Sequence, residues 1–419
     1  MTDQDSQTCN FKDPENVKDI LELLDKLGSD SGRSISSPVL GILGEEAEKY
    51  FKDSDILSSL GTVFTRAKTI RGSIISDSRG YPKYSSLNDH DSHDCVPKAL
   101  KTWLPKAYAA LLFMLFNCDS GMTKYSLGEW SGQKVNGSGG SKKDLHNWLT
   151  KEKLGALPFT PGLIKRGFST GELTSNTGET VADAIKNIIT HDTPGSFQKV
   201  LASLLFACPW DNALLGHALC FVTKFCEKVG TEGERLKEKF KGYSEDLKTV
   251  CLEVGGSLTS FLNNSSQSHI LAVSQGNSNV YSDVFKDDSL DDYCDWLKRN
   301  LKNIIDALKA MSTDCKNWGS PHSFEWGYTA GPFLYGFVPK TTGWMNHIKE
   351  NLPKAITPLI ESLNELKKAL EPSSSTAAAA AGAAGGIFGL GGAGAGAAYA
   401  TNAFGLKDII TGLISRFLS

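Results

Sequence analysis

Six side chains able to hold a metal ion fall within seven residues of this chain: Asp89, His90, Asp91, His93, Asp94 and Cys95, in the order DHDSHDC. Carboxylate, imidazole and thiolate are the protein ligands of divalent transition metals, which makes this the best metal candidate. Ligands so close together on one Ser- and Asp-rich loop rarely complete a tetrahedral site alone. The same residues also read as a solvated acidic loop that places Cys95 for a disulfide. A second chemical pattern, Gly167-Phe168-Ser169-Thr170-Gly171, matches the GxSxG of a nucleophile elbow. An elbow needs a buried strand before the serine and a helix after it. PFTPGLIKR precedes and ELTSNTGET follows, so the match reads as chance. GSGGSKK at 137–143 lacks the order GxxxxGK[ST] of a phosphate loop and reads as a surface loop. A hydrolase using Ser169, or a metal at His90 and His93, is the enzyme that these patterns would support. No cofactor is implied, and the chain is expected not to be an enzyme.

Nine cysteines, Cys9, Cys95, Cys118, Cys208, Cys220, Cys226, Cys251, Cys294 and Cys315, are scattered with no CxxC spacing. No zinc pairing can be drawn from them. They fit either a disulfide-stapled exterior protein or one with buried thiols. If 212–228 is a single helix, Cys220 and Cys226 lie about 9 Å apart along its axis. That exceeds the Cα separation of below about 7 Å that a disulfide allows, so these two cannot bridge to each other. Sequons stand at Asn136-Gly-Ser and at Asn263-Asn264-Ser-Ser. Residues 318–344 hold eight aromatics in 27 positions, among them Trp326, Tyr328, Phe333 and Tyr335, with glycines and prolines between them. Such a loop serves as a partner-binding hot spot or as a satellite core that locks an irregular connection onto the helices.

The elements that must position these residues are helical. Asp13-Pro14 suggests an N-cap with proline in the first turn; Val17, Ile20, Leu21, Leu24 and Leu27 then follow at helical spacing, and Gly28 stops the run. The apolar stretch AYAALLFMLFNC within 98–118 is too short to span a bilayer and suits a buried core helix. Further helices are expected near 180–191, 196–207, 212–228 and 234–262. Over 288–311 a stripe of Leu290, Tyr293, Leu297, Leu301, Ile304, Leu308 and Met311 follows an acidic start, in keeping with the helix dipole. Alternating β-branched runs are nearly absent. The fold class is therefore mostly α: an irregular multi-helix bundle with long loops. Leu352, Ile356, Leu359, Leu363, Leu366 and Leu370 keep a heptad rhythm, but Pro353 and Pro358 favour a bundle helix over a coiled coil.

At Pro372 the composition changes, and 20 of the 24 residues in 377–400 are Ala or Gly. This tract reads as a linker, as a small-residue membrane helix, or as a segment packed on a neighbour. Residues 401–419 follow as an amphipathic helix whose stripe, Leu406 to Leu418, needs a partner. A chain of 419 residues with 44 Lys+Arg against 47 Asp+Glu is close to neutral. That argues against a surface built throughout to grip nucleic acid or anionic lipid. The polar, acidic N-terminus shows no conventional secretory signal.

Three blocks, CNFKDPENVKDILELLDKLG, CPWDNALLGHALCFVTKFCEKV and YTAGPFLYGFVPKTTGW, together with GAAYATNAFGLKDIITGLISRFL, resemble the variant erythrocyte surface antigens of Babesia. The resemblance is spread over most of the chain, while 119–180 has no match and looks hypervariable. It implies a protein exported to the extracellular face of infected erythrocytes, engaged in antigenic variation, immune evasion and host-cell adhesion. The implied partner is a host cell-surface protein, endothelial or an immune receptor of immunoglobulin-like type, with no nucleic acid. Membrane anchoring is expected only through sequence near or beyond the C-terminus, and the chain looks like a piece of a longer protein. Residues 1–371 would then be a helical ectodomain with variable loops at about 119–180 and 263–280. A cysteine-stapled ectodomain would carry up to four bridges and at least one leftover thiol. The rival to this reading is an intracellular helical scaffold that oligomerises through 352–370 and 406–418.

Overall fold

The computed structural model describes residues 11–29, 32–49, 56–76, 81, 83–87, 95–119, 128–137, 144–150, 166–189, 195–207, 215–240, 243–262, 290–317 and 338–371. Among these residues the protein is mostly helical, with twelve α-helices and no strand beyond isolated bridges. The Ala/Gly tract, residues 401–419 and the expected variable loop 263–280 lie outside the described residues. Two compact units divide the chain. One comprises Met1–Phe221, Leu262–Val284 and Asn317–Thr342; the other comprises Val222–Phe261, Phe285–Lys316 and Gly343–Ser419. The boundary falls inside the stretch that reads from sequence as one ectodomain.

The first unit begins with α1, Val17–Gly28. Its cap is Asn16 rather than Asp13: the Asn16 side-chain oxygen accepts from the Asp19 N–H at 2.8 Å. This satisfies one of the donors that a helix start leaves open. Val17, Ile20, Leu21, Leu24 and Leu27 are all buried, as their spacing predicts. Beside α1 lie α2, Arg33–Glu48, and α3, Ile56–Ile74. At Gly28 the backbones of α1 and α3 come close, since a β-carbon there would lie 2.4 Å from the Phe64 carbonyl oxygen. The long helix α4, Cys95–Cys118, is the core helix read from its apolar run, and Pro105 is accommodated within it. Tyr108 on α4 meets Phe197 edge-on at 5.6 Å, and the Gln198 amide donates to the Tyr108 hydroxyl at 2.9 Å. That buried polar pair fixes α7, Ser196–Ser203, against α4.

Between them come α5, Leu145–Thr150, and α6, Gly178–Lys186. Much of the described part of 119–180 is packed rather than looped out, and Trp130, Val135, Trp148, Phe168 and Leu173 are buried. Two isolated antiparallel bridges, Ile75 with Leu173 and Lys134 with Thr177, tie three chain segments together. Val135 N donates to Asn176 O at 2.8 Å and Thr174 N to Ile74 O at 2.9 Å, so irregular backbone is paired where it is buried.

In the second unit, α8, Leu215–Thr231, enters from the first and is followed by α9, Gly233–Lys239, and α10, Glu245–Leu262. The sequence suggests a continuous helix over 234–262. Instead the chain leaves helix at Phe240, and the Tyr243 hydroxyl donates back to Val229 O at 2.7 Å. α10 thus turns back along α8. The unit is completed by α11, Leu290–Asn317, and α12, Val338–Leu370. The expected stripe of α11 is buried at Tyr293, Leu297, Leu301, Ile304 and Leu308. Helix α12 starts at Val338, within the segment 318–344 that reads as a loop, and contains both Pro353 and Pro358.

Candidate functional site

Of the chemistry-bearing residues singled out by sequence, most lie outside what the structure describes. Asp89, His90, Asp91, His93 and Asp94 lie outside the described residues, as do Trp326, Tyr328, Phe333 and Tyr335. Ser169 is described, exposed and occupied: it is the cap of a 3-10 turn, Thr170–Glu172. Its N–H donates to Glu172 Oε1 at 2.7 Å, and its carbonyl oxygen accepts from the Glu172 N–H at 3.1 Å. Neither strand nor α-helix flanks it, so the GxSxG spacing opens a 3-10 turn and is not an elbow. Gly167 in the same motif has φ +79, and a β-carbon there would collide with the Asn16 side chain at 2.3 Å. That glycine serves the contact with the cap of α1.

What the fold does assemble is a cluster of charges on α1. Lys18, Asp19, Glu22 and Asp25 project at helical neighbour spacing. Arg71 comes from α3, Lys83 and Tyr81 from the turn that follows it, and Glu172 from the 3-10 turn. Lys18 Nζ lies 2.7 Å from Glu172 and 3.9 Å from Glu22. Lys83 Nζ lies 2.6 Å from Asp19, and an Arg71 guanidinium nitrogen 3.6 Å from Asp25. The Arg71 guanidinium also sits over the Tyr81 ring at 5.3 Å. Four carboxylates face three cations, and the Glu22 and Asp25 side chains are 5 % and 2 % exposed. Burial pushes Glu22 above its ordinary value although Lys18 and Arg71 pull it down. Asp25 is likewise raised by burial, against a Tyr81 hydrogen bond and the Arg71 charge. The Tyr81 phenol is pushed up to about 12, first by burial and then by its bond to Asp25. Tyr84 is raised in the same way, and its buried hydroxyl has no hydrogen-bond partner.

This arrangement clamps α1 to α3 and to the turn at 169–172, and burial within it strengthens the hold of Glu22 and Asp25 on their protons. The sequence conceals it because its partners are remote: Glu172 stands 154 positions from Lys18. The one available signal is that Asp19, Glu22 and Asp25 intrude beside an otherwise apolar stripe. Among the described residues no group of three or more His, Cys, Asp or Glu side chains could hold a metal ion. Among the same residues no helix is long and apolar enough to cross a membrane.

Five of the nine disulfide candidates, Cys118, Cys220, Cys226, Cys251 and Cys294, are buried thiols that form no disulfide in this structure. They lie on helices and pack there as small apolar side chains. Burial pushes the Cys118 thiol up to about 12 and also raises Cys226 and Cys294. Cys95 is disulfide-bonded. Cys9, Cys208 and the Cys315 side chain lie outside the described residues. The expected stapling by up to four bridges is not shown among the described residues. No protein-family model, curated protein or solved structure matches the chain.

Proposed function

We propose that this chain is a variant surface protein of infected erythrocytes, whose helical body presents variable loops and engages a host-cell protein. The observation that carries this reading is the resemblance of CPWDNALLGHALCFVTKFCEKV and YTAGPFLYGFVPKTTGW to the variant erythrocyte surface antigens of Babesia. Support from the fold is indirect. A helical scaffold whose core holds rigid elements leaves its loops able to change without unfolding it. The partner class is a host cell-surface receptor, endothelial or immunoglobulin-like, and the aromatic residues Trp326, Tyr328, Phe333 and Tyr335 are its proposed contacts.

A second reading has its own observation. Five buried thiols in one chain also suit an intracellular helical scaffold that oligomerises through 352–370 and 406–418. The test is a binding screen of the full chain, immobilised and folded, against a panel of host endothelial and immune-cell ectodomains. The surface reading predicts at least one saturable partner, weakened tenfold or more by alanine at Trp326 and Tyr328 together. Failure to bind any ectodomain, together with concentration-dependent self-association lost on Leu359→Asp, supports the scaffold instead.

A further inference from the structure

We infer that Asn136 is an acceptor for an N-linked oligosaccharide, presented to solvent by a turn whose backbone is tied to the fold. Two independent observations fall on this residue. The first is chemical. Asn136-Gly137-Ser138 sets a hydroxyl two residues after a carboxamide, with a residue other than proline between them. Such a triplet arises by chance, so it carries weight where folding leaves the carboxamide in water for a bulky adduct. The second observation meets that condition. Asn136 is exposed, and among the described residues its side chain has no hydrogen-bond partner. Other asparagines of the same unit have theirs engaged. The Asn16 oxygen accepts from the Asp19 N–H at 2.8 Å, and Asn147 Nδ2 donates to Asp144 Oδ2 at 3.1 Å. Asn176 Nδ2 donates to Ser73 O at 3.1 Å. None of these three begins a sequon.

The backbone accounts for the exposure. Gly137 N donates to Lys134 O at 3.0 Å, closing a turn in which Asn136 is the third residue. Asparagine suits such a position. The turn is held from its inner side. Asn136 N donates to Thr174 O at 3.0 Å, and the neighbouring Val135 is 0 % exposed. Buried Val135 and the two backbone bonds to 174–176 therefore do the anchoring, and the Asn136 carboxamide takes no part in it. Adding a sugar to that nitrogen displaces no packed side chain and breaks no described hydrogen bond. The second pair of sequons, at Asn263 and Asn264, lies outside the described residues.

The transfer balances with a lipid-linked oligosaccharyl diphosphate as donor. Asn136 Nδ2 forms a bond to the anomeric carbon of the first sugar. The bond from that carbon to the diphosphate oxygen breaks, and the lipid diphosphate leaves with its electron pair. One amide proton passes to a basic group of the transferring enzyme, and nothing is oxidised or reduced. The donor belongs to a secretory lumen, so occupancy in the native cell rests on the exported reading proposed above. The acceptor can be tested apart from it.

The test produces the full chain behind a cleavable secretory leader in insect cells and maps its peptides. Asn-Gly also deamidates spontaneously, so glycopeptides are read intact rather than by the aspartate left after deglycosylation. The expected result is an oligosaccharide on Asn136 in most molecules. Ser138→Ala should abolish it there, with helical circular dichroism and the state of Asn263 and Asn264 unchanged. Enzymatic removal of the sugar from the folded chain should leave the urea midpoint where it was. Bare Asn136 in chain with its full helical signal overturns the inference. So does wild-type chain retained as misfolded material while Ser138→Ala is secreted folded. Antibody labelling of intact infected cells tests export separately. Surface-labelled cells whose chain is bare at Asn136 refute the acceptor alone, and unlabelled cells leave the insect-cell glycopeptide as it stands.

Discussion

The two units of this molecule pair opposite charges in opposite ways. In the first unit Glu22 and Asp25 lie beside Lys18 and Arg71, yet both carboxyls sit above their ordinary values because burial outweighs the neighbouring cations. In the second unit Lys237 with Glu245 and Lys239 with Asp291 are solvent-facing pairs, 2.9 Å and 2.7 Å apart. There each partner is shifted toward its charged form, Glu245 and Asp291 down and Lys237 and Lys239 up, first through the shared hydrogen bond. The same chemical pairing is therefore a constraint in one unit and a solvated decoration in the other. Distance does not separate the cases; desolvation does.

Removing a buried cation should break this contrast most severely. Arg71→Ala leaves Asp25 and Glu22 buried with one counter-charge fewer, and loss of one member of a buried pair costs about 3 kcal/mol. Hydrogen exchange should show α1 and α3 amides exchanging about a hundredfold faster or more, with α10 unchanged as the internal reference. Unaltered protection of α1 would show the cluster to be decoration here as well.

Glycine contacts sharpen the comparison at the next scale. A β-carbon on Gly28 meets the Phe64 backbone at 2.4 Å, whereas one on Gly230 first meets the end of the Leu252 side chain at 2.7 Å. Leu252 is 45 % exposed and can swing aside. Gly28→Ala should therefore cost about 1–3 kcal/mol by overpacking, read as a drop in the urea midpoint. Gly230→Ala should come close to neutral, because the helix preference of alanine, about 1 kcal/mol, offsets the smaller displacement.

A smaller effect is expected with pH. The folded chain holds protons on Glu22 and Asp25 that the unfolded chain releases near their ordinary values of 4.5 and 3.8. Their contribution to stability is thus complete below those values and is lost as pH rises through the raised ones. Urea midpoints of the wild type should decline over that window more steeply than those of Glu22→Gln/Asp25→Asn. A slope identical in both would mean that other groups carry the pH dependence. Smallest of all, Lys239→Ala on the second unit should leave the midpoint unchanged within error, since Lys239 and Asp291 are both largely in water.

Helices with a clean stripe were legible from sequence, and those with a diluted one were not. α1 and α11 repeat large apolar residues at helical spacing along their buried faces, so spacing alone locates them. α3 buries Ile56, Leu60, Val63, Phe64, Ala67, Ile70 and Ile74 at the same rhythm, but Ser, Thr and Gly between them blur the pattern. α2 carries Pro38, Gly41 and Gly44, weak helix formers whose cost tertiary packing offsets. The break after Lys239 depends on the Tyr243 hydroxyl reaching Val229, a contact across the turn that no periodicity encodes. The charged cluster was hidden for a related reason. Lys18, Asp19, Glu22 and Asp25 look like the solvated side of an amphipathic helix until Arg71, Lys83 and Glu172 are brought onto them. Sequence showed which residues can carry charge; folding decided which of those charges lose their water.

The central claim, presentation at the infected-cell surface, is tested most directly by antibody raised against the folded chain and applied to live, unpermeabilised infected erythrocytes. The account predicts surface fluorescence that is removed by brief trypsin treatment of intact cells. Labelling that appears only after permeabilisation, and resists trypsin until then, would contradict it and leave the intracellular scaffold as the reading to pursue.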